Sequence, residues 1–208
     1  GAITDLTLSN IKNPGVSGTT GTFTITTSDS NNNTIDTLSS ISGVTITAGA
    51  LSSASVTPTT SLVAGATGST TATFTIANNV PTDGKFEIIF PDGFNISSAT
   101  ITSINGQGGA SGSGHTIAIN NQKLTITRGT NDSPGIFTAG VTTLVLGDII
   151  NPGVSGTTGT FTITTLHSND AIIDSLSGIS GVYITEGALS SASVTPASLI
   201  IGDSGNAV

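Results

Sequence analysis

The sequence predicts an all-β fold, a β-sandwich, on three observations. Apolar residues alternate with threonine at a period of two, turn signals recur roughly every 10 residues, and no stretch carries a helical period. The composition agrees: among 208 residues there are 38 threonines, 28 serines and 27 glycines, while Glu, Lys, Arg and Leu are scarce. Threonine, valine and isoleucine suit a pleated, half-buried surface better than a helix. Leu, Ile, Val and Phe make up 26% of the chain. That lies above the ~20% below which a chain is expected to stay disordered, so a core can form.

Each element is justified in turn along the chain. Ala72, Phe74 and Ile76 alternate with threonines, and Phe86, Ile88 and Phe90 point one way along KFEIIF. Ala99 with Ile101, Ile117 with Ile119, and Leu124 with Ile126 repeat the pattern, as do Leu144 with Leu146, Phe161 with Ile163, and Val182 with Ile184. Each pair marks a strand with one face toward a core and one toward water. The strands are separated by NNVPTDG (78–84), PDG (91–93), NGQGGASGSG (105–114), NNQ (120–122), NDSPG (131–135) and NPG (151–153). Gly, Pro, Asn and Asp there supply the backbone angles that turns require.

An internal repeat organises the whole. Residues 6–58 and 144–196 align without a gap at an offset of 138, with 40 of 53 positions identical. The shared segments are NPGVSGTTGTFTITT (13–27 and 151–165), SGV-x-IT-x-GALSSASVTP (42–58 and 180–196) and Ile-Asp at 35–36 and 173–174. The period is the size of a sandwich domain rather than a solenoid repeat. The expected division is therefore 1–58 as the C-terminal half of one unit, 59–196 as a complete unit, and 197–208 as the first strand of a following unit or a donor strand. A different phase, with 1–70 and 139–208 as paired small domains about a central one, fits the same alignment. The copies differ mainly at 28–34 and 166–172, which reads as an exposed loop.

Charge and composition exclude several function classes. Charged residues are 8% of the chain, the formal net charge is −8, and the only cations are Lys12, Lys85, Lys123 and Arg128. Four scattered cations cannot replace the counterions of a phosphate backbone or bind an anionic membrane, so no nucleic-acid partner is expected. No apolar run approaches ~20 residues, so no membrane insertion is expected. Zero cysteines remove disulfides, thiolate catalysis and cysteine–zinc sites. The sequence has no start methionine and no leader-like apolar segment, and is expected to be a mature or excised piece. With low pI and Thr/Ser/Gly richness, an extracellular or cell-surface location is expected.

The order GATGSTTATFTIANNVPTDGKFEIIFPDGF (65–94), an Ile-rich hairpin, NPGVSGTTGTFTITT and GVTITAGALSSASVTP resembles tandem immunoglobulin-like (Ig-like) repeats. Such repeats occur in very large bacterial and archaeal surface proteins, of S-layer-like, adhesin-stalk or extracellular-fibre type. The resemblance spans essentially the whole chain and implies tandem Ig-like β-sandwiches with a 138-residue repeat. It also implies spacing, coating or self-assembly, often with glycosylation or calcium, and it carries no catalytic residue.

No catalytic, cofactor-binding or metal-binding residue is assigned from the sequence. Gly202-Asp203-Ser204-Gly205 matches a serine-nucleophile signature, but such a serine needs an activating His and a buried Asp. A turn is expected instead. His115 and His167 lack a nearby His or Cys ligand partner and are expected to be solvated loop residues. Paired-carboxylate hydrolysis fails on Glu87, which faces outward, and Glu186, which is alanine in the other copy (Ala48). Calcium is the ion that carboxylates and loop carbonyls would suit, through Asp36 and Asp174 with Asp29 and Asp170 in the preceding loops. No Asp-x-Asp-x-Asp spacing supports it, so no cofactor is expected. Glycosylation sequons occur at Asn32, Asn95 and Asn131. The Gly-rich run 106–114 reads as a hairpin tip. Tyr183, the sole tyrosine, replaces Thr45 of the first copy and leaves no aromatic platform for sugar stacking.

The first functional expectation is a structural segment of a filament, sheath or S-layer-like array. Alone, residues 1–58 would expose Leu6, Leu8, Phe23, Ile25, Val44 and Ile46, which water disfavours by about 25 cal/mol per Å². Their cover must come from a longer polypeptide, or from identical chains by strand addition. The second expectation is an adhesin or carbohydrate-binding stalk module contacting a glycan ligand through loops 28–34, 105–114 and 166–172. An enzyme would need a convergent polar cluster that the sequence does not provide.

Overall fold

The computed structural model describes residues 5–105, 107–108, 114–129, 137–202 and 204. Among them there is no helix. The first copy contributes β1 (Gly18–Thr19), β2 (Phe23–Ser28), β3 (Thr34–Ile41) and β4 (Thr45–Ile46). Then come β5 (Gly49–Ala50), β6 (Ser52–Pro58), β7 (Thr67–Ile76), β8 (Lys85–Ile89) and β9 (Thr100–Ile104). β10 (Gln107–Gly108), β11 (Thr116–Asn120), β12 (Lys123–Thr127) and β13 (Gly140–Ile150) follow. The second copy supplies β14 (Gly156–Thr157), β15 (Phe161–Leu166), β16 (Ile172–Ile179) and β17 (Tyr183–Ile184).

Two large sheets form a sandwich. One has five strands in the order β10-β9-β13-β7-β6, the other six in the order β11-β12-β8-β15-β16-β5. Alternation decides which side chains face inward. Ala72, Phe74 and Ile76 of β7 and Leu144 and Leu146 of β13 come from the first sheet, all at most 1% exposed. Phe86 and Ile88, Leu124 and Ile126, and Phe161 and Ile163 come from the second, each fully buried. The rings of Phe74 and Phe86 meet edge-to-face across the two layers at 6.0 Å between centroids. Phe161 packs on Phe90 at 5.6 Å and Phe94 at 5.7 Å, closing the end of the core beyond β8.

The two copies share their local geometry. β2 and β3 pair antiparallel with Phe23 opposite Ile41 and Ile25 opposite Leu38. β15 and β16 pair with Phe161 opposite Ile179 and Ile163 opposite Leu176, the same register 138 residues on. β1–β4 and β14–β17 correspond likewise, Gly18 facing Ile46 and Gly156 facing Ile184. Both copies fold the variable loop into one turn: Asp29 N–H donates to Asn33 C=O, and His167 N–H to Ala171 C=O.

Two expectations are changed by the structure. Residues 49–58, grouped by sequence with the first copy, lie in the sandwich of the complete unit. β6 pairs with β7 in the five-stranded sheet, and Leu51 and Val56 are buried in the shared core. The alignment could not show this pairing, because the same segment recurs at 187–196. His115 is not solvated: it is 4% exposed, and its Nδ1 accepts the Gly129 N–H at 3.0 Å, tying the end of the β11–β12 hairpin. The expected hairpin tip at 106–114 lies largely outside the described residues, as do NDSPG at 131–135 and Asn131.

Candidate functional site

The features that set this chain apart are surfaces rather than a pocket, and they follow from the repeat. Within the second copy β15 sits between β8 and β16, so both its edges are paired. β2, its counterpart, pairs with β3 alone. Among the described residues no second layer stands above it, and its apolar face is open: Phe23 is 48% and Ile25 54% exposed, against 0% for Phe161 and Ile163. Leu6 and Leu8 are 73% and 66% exposed, whereas Leu144 and Leu146 are fully buried. The other end shows the reverse. Leu51 and Val56 are 3% and 1% exposed, but their counterparts Leu189 and Val194 are 90% and 79% exposed. Among the described residues the chain thus carries an open apolar face on the β2–β3 hairpin at one end and, at the other, an exposed segment (187–196) that repeats the sequence of β5 and β6.

The join between the first copy and the complete unit is short and built from hydrogen bonds. Only Thr47 and Ala48 separate β4 from β5. β5 enters the six-stranded sheet directly, parallel to β16, with Gly49 opposite Asp174 and Ala50 opposite Ser175. Asp174 is fully buried beside it. Its carboxyl oxygens accept the Ala77 N–H at 3.0 Å, the Asn78 N–H at 2.9 Å and the Asn78 side-chain amide at 2.7 Å. A Cβ at position 49 would collide with that carboxyl group and with the Asn78 amide, so any side chain there must displace this hydrogen-bonded pair. Nearby, Ser17 N–H donates to Ile172 C=O at 2.7 Å, setting the Asn13–Ser17 turn of the first copy against the complete unit.

The remaining candidates are placed as follows. Asp36, the counterpart of Asp174, is exposed and accepts from the Thr27 hydroxyl at 3.3 Å. Both Asp174 oxygens accept N–H donors, which suits an ionised carboxyl group used as a hydrogen-bond acceptor. Among the described residues, no group of three or more His, Asp or Glu side chains could hold a metal ion. Hydrogen bonds from the Asn33 side chain and from the backbone N–H groups of Asn33 and Asn31 hold the Asp29 carboxyl below the usual range. His167 is half-buried, its Nδ1 3.1 Å from the Ser168 hydroxyl. Asp203 and Gly205 of the serine-like motif lie outside the described residues. Of the sequons, Asn32 occupies the left-handed turn position at φ 65° and Asn95 is exposed with its side chain accepting from Ser97 N–H.

One further surface was not legible in the sequence. The outer face of the six-stranded sheet forms a shallow groove of about 600 Å³, lined by Lys85, Glu87, Lys123, Asp170 and threonines. Lys85 pairs with Asp170 at 2.5 Å and Lys123 with Glu87 at 2.9 Å, so two of the four cations are neutralised there. Pairing across neighbouring strands created this cluster, and residue order alone does not display it.

No described helix is long and apolar enough to cross a membrane. No family model matches the chain, and no curated protein matches it in sequence. Among solved structures it is similar to BslA, a bacterial hydrophobin, at 16% identity over 66% of this chain and 98% of that one, TM-score 0.37. It is similar to BcpA, the major pilin subunit of Bacillus cereus, at 12% identity and TM-score 0.37. That match covers 79% of this chain and 47% of the pilin, so the chain spans about half the pilin's length. A chitin-binding domain from Thermococcus kodakarensis matches at 11% identity over 62% of this chain and all of that domain, TM-score 0.31.

Proposed function

We propose that this chain is a structural segment of an extracellular surface assembly, a filament, sheath or S-layer-like array, built from tandem Ig-like β-sandwiches repeating every 138 residues. One observation carries the reading: the same side chains are sealed in one copy and open in the other. Phe23 and Phe161 share sequence and register, so only a missing sheet separates their exposures. Covering such a face is favoured by about 25 cal/mol per Å² of apolar surface, and an open strand edge beside it templates pairing. The cover is a neighbouring repeat of the same array, or strands exchanged from an identical chain. On this reading the repeating unit runs from about 49 to 186, and 187–208 opens the next one. The role is non-catalytic and requires no cofactor.

A chain with residues 49–143 fused ahead of Leu6 tests this. The first copy then becomes a complete sandwich, and the β2 amides, slow only where β3 pairs them, gain the protection of β15 in hydrogen exchange. Light scattering adds the second arm: the 208-residue chain is expected to associate with concentration, and the fused chain less so. Unchanged β2 exchange, with a strictly monomeric 208-residue chain, would overturn the reading.

A glycan-binding stalk is the second reading, favoured by the groove of Lys85, Glu87, Lys123 and Asp170. Paired charges and threonine hydroxyls there suit hydroxyl-rich ligands, although no aromatic platform lines it. Loop 166–172, one of the loops expected to vary for ligand contact, is instead engaged by the turn of the first copy at Ile172. That favours spacing over recognition.

A further inference from the structure

We propose that the Gly153–Ser155 tip of each unit latches onto the following unit, and that this latch fixes the angle between successive sandwiches. The inference rests on the tandem-array reading and specifies its contact. The chain contains one such latch already. Asn13–Ser17 of the first copy sits against the complete unit, with Ser17 N–H on Ile172 C=O at 2.7 Å. Gly15 and Val16 line a cleft with Asn79, Pro81, His167 and Ile173. Val16 and Ser17 are half-buried there.

The second copy presents the identical turn to solvent. Its base is held by its own unit: the Asn151 amide donates to Ser61 and Val63 C=O at 2.9 and 3.0 Å, and Pro152 C=O accepts from Gly65 N–H. Among the described residues the tip beyond it makes no such contact, and Val154 is 75% exposed. An apolar side chain at the summit of a turn anchored on both sides is a poor solvent-facing choice, and its twin shows what it meets. The occupant is therefore the next repeat, through its own counterparts of Ile172, Ile173 and Pro81.

The latch orients more than it stabilises. Clefts of about 190 and 360 Å³ remain beside it, so it lacks the density of a core. Its stiffness comes from pairing a single backbone hydrogen bond with the two-residue link Thr47–Ala48, which leaves little chain to swivel.

Hydrogen exchange on two chains tests the latch. In the 208-residue protein, the Ser17 amide is expected to exchange about tenfold or more slowly than the Ser155 amide. In a chain extended after Glu186 by a further copy of residues 49–186, Ser155 is expected to slow to the rate of Ser17. Val154→Asp in the extended chain is expected to restore fast exchange at Ser155. Should the extended chain not fold, Val16→Asp in the 208-residue protein gives the same comparison at Ser17, with β15 amides as the folding control. Equal rates at Ser17 and Ser155 in the 208-residue protein, or no slowing of Ser155 on extension, overturn the latch. Gain of β2 protection in the fused chain above is independent of both outcomes, so the array reading and the latch fail separately.

Discussion

Phe23 and Phe161 stand at the same place in one 15-residue sequence, in hairpins of one register, and yet one is half exposed and the other sealed. The comparison separates what a segment determines by itself from what it receives from the rest of the chain. Local geometry belongs to the segment. In both copies a threonine hydroxyl, Thr20 or Thr158, accepts the N–H of the valine that follows the turn, at 3.0 Å. In both, left-handed backbone falls at matching places: Asn10 and Asp148, Asn32 and Asp170, Ser40 and Gly178. Burial of the hairpin's apolar face belongs to residues 49–143, whose β8 pairs β15 and not β2.

The largest expected break in this comparison comes from removing the twin phenylalanines. Phe161→Ala deletes a ring packed on Phe90 and Phe94. A loss of about 3–5 kcal/mol is expected. Phe23→Ala removes a ring already wet on one side, and the expected loss is below about 1 kcal/mol. Urea unfolding of both variants, followed by tyrosine fluorescence at Tyr183 and by far-UV dichroism, reads the difference. Similar losses would mean that the first copy is covered in solution by another chain.

A smaller effect is expected at the twin aspartates. Asp174→Ala leaves the Ala77 and Asn78 N–H groups without their acceptor in a buried setting. That costs about 2–3 kcal/mol. Asp36→Ala touches an exposed carboxylate with a single long hydroxyl contact, and stability is expected to move by less than about 0.5 kcal/mol. In the fused chain with a complete first unit, the Asp36 loss is expected to rise to the Asp174 value. An Asp36 that stays neutral there would show that the first copy does not rebuild the Asp174 arrangement.

The same comparison shows what was legible in the residues. The strands and their inward faces were, because alternation at Phe74, Phe86, Leu144 and Phe161 is a local signal and each face found a partner layer. The open apolar face was also legible, since Leu6, Leu8, Phe23 and Ile25 lack the segment that covers their twins. The place of GALSSASVTP was not: it occurs at the end of both aligned blocks, and only the structure shows the first occurrence pairing through β6 with β7. His115 was misplaced because a strand-start histidine looks solvated until the opposing Gly129 is brought across the hairpin. The loop at 28–34 and 166–172 looked variable, yet its turn is conserved in shape, because Asn32 and Asp170 both tolerate left-handed backbone. The Lys85–Asp170 pair joins β8 to the β15–β16 turn and the Lys123–Glu87 pair joins β12 to β8, and no sequence spacing announces them.

That loop also yields the smallest expected effect, one of pH. Asp29 accepts from Asn33 and Asn31, and its carboxyl is held below the ordinary value of 3.8. A carboxyl group with a depressed folded-state pKa supports the turn above the unfolded value and loses that support as pH falls through the folded one. The position is exposed, so global unfolding is expected to be indifferent, and the change confined to the turn. His167 stands at the matching place in the second copy, and the one carboxylate of that turn, Asp170, accepts from Lys85 rather than from the turn's own amides. The 29–33 turn should therefore loosen below pH 3.8 while the backbone hydrogen bond from His167 to Ala171 persists. Carboxyl carbon shifts give the Asp29 midpoint, and amide exchange at Asn33 and Ala171 gives the two turns side by side. Asp29→Asn should keep the neutral-pH turn and abolish its acid response. A midpoint at or above 3.8, or loosening of both turns together, would mean that the Asn31 and Asn33 hydrogen bonds are not what distinguishes the two copies of the loop.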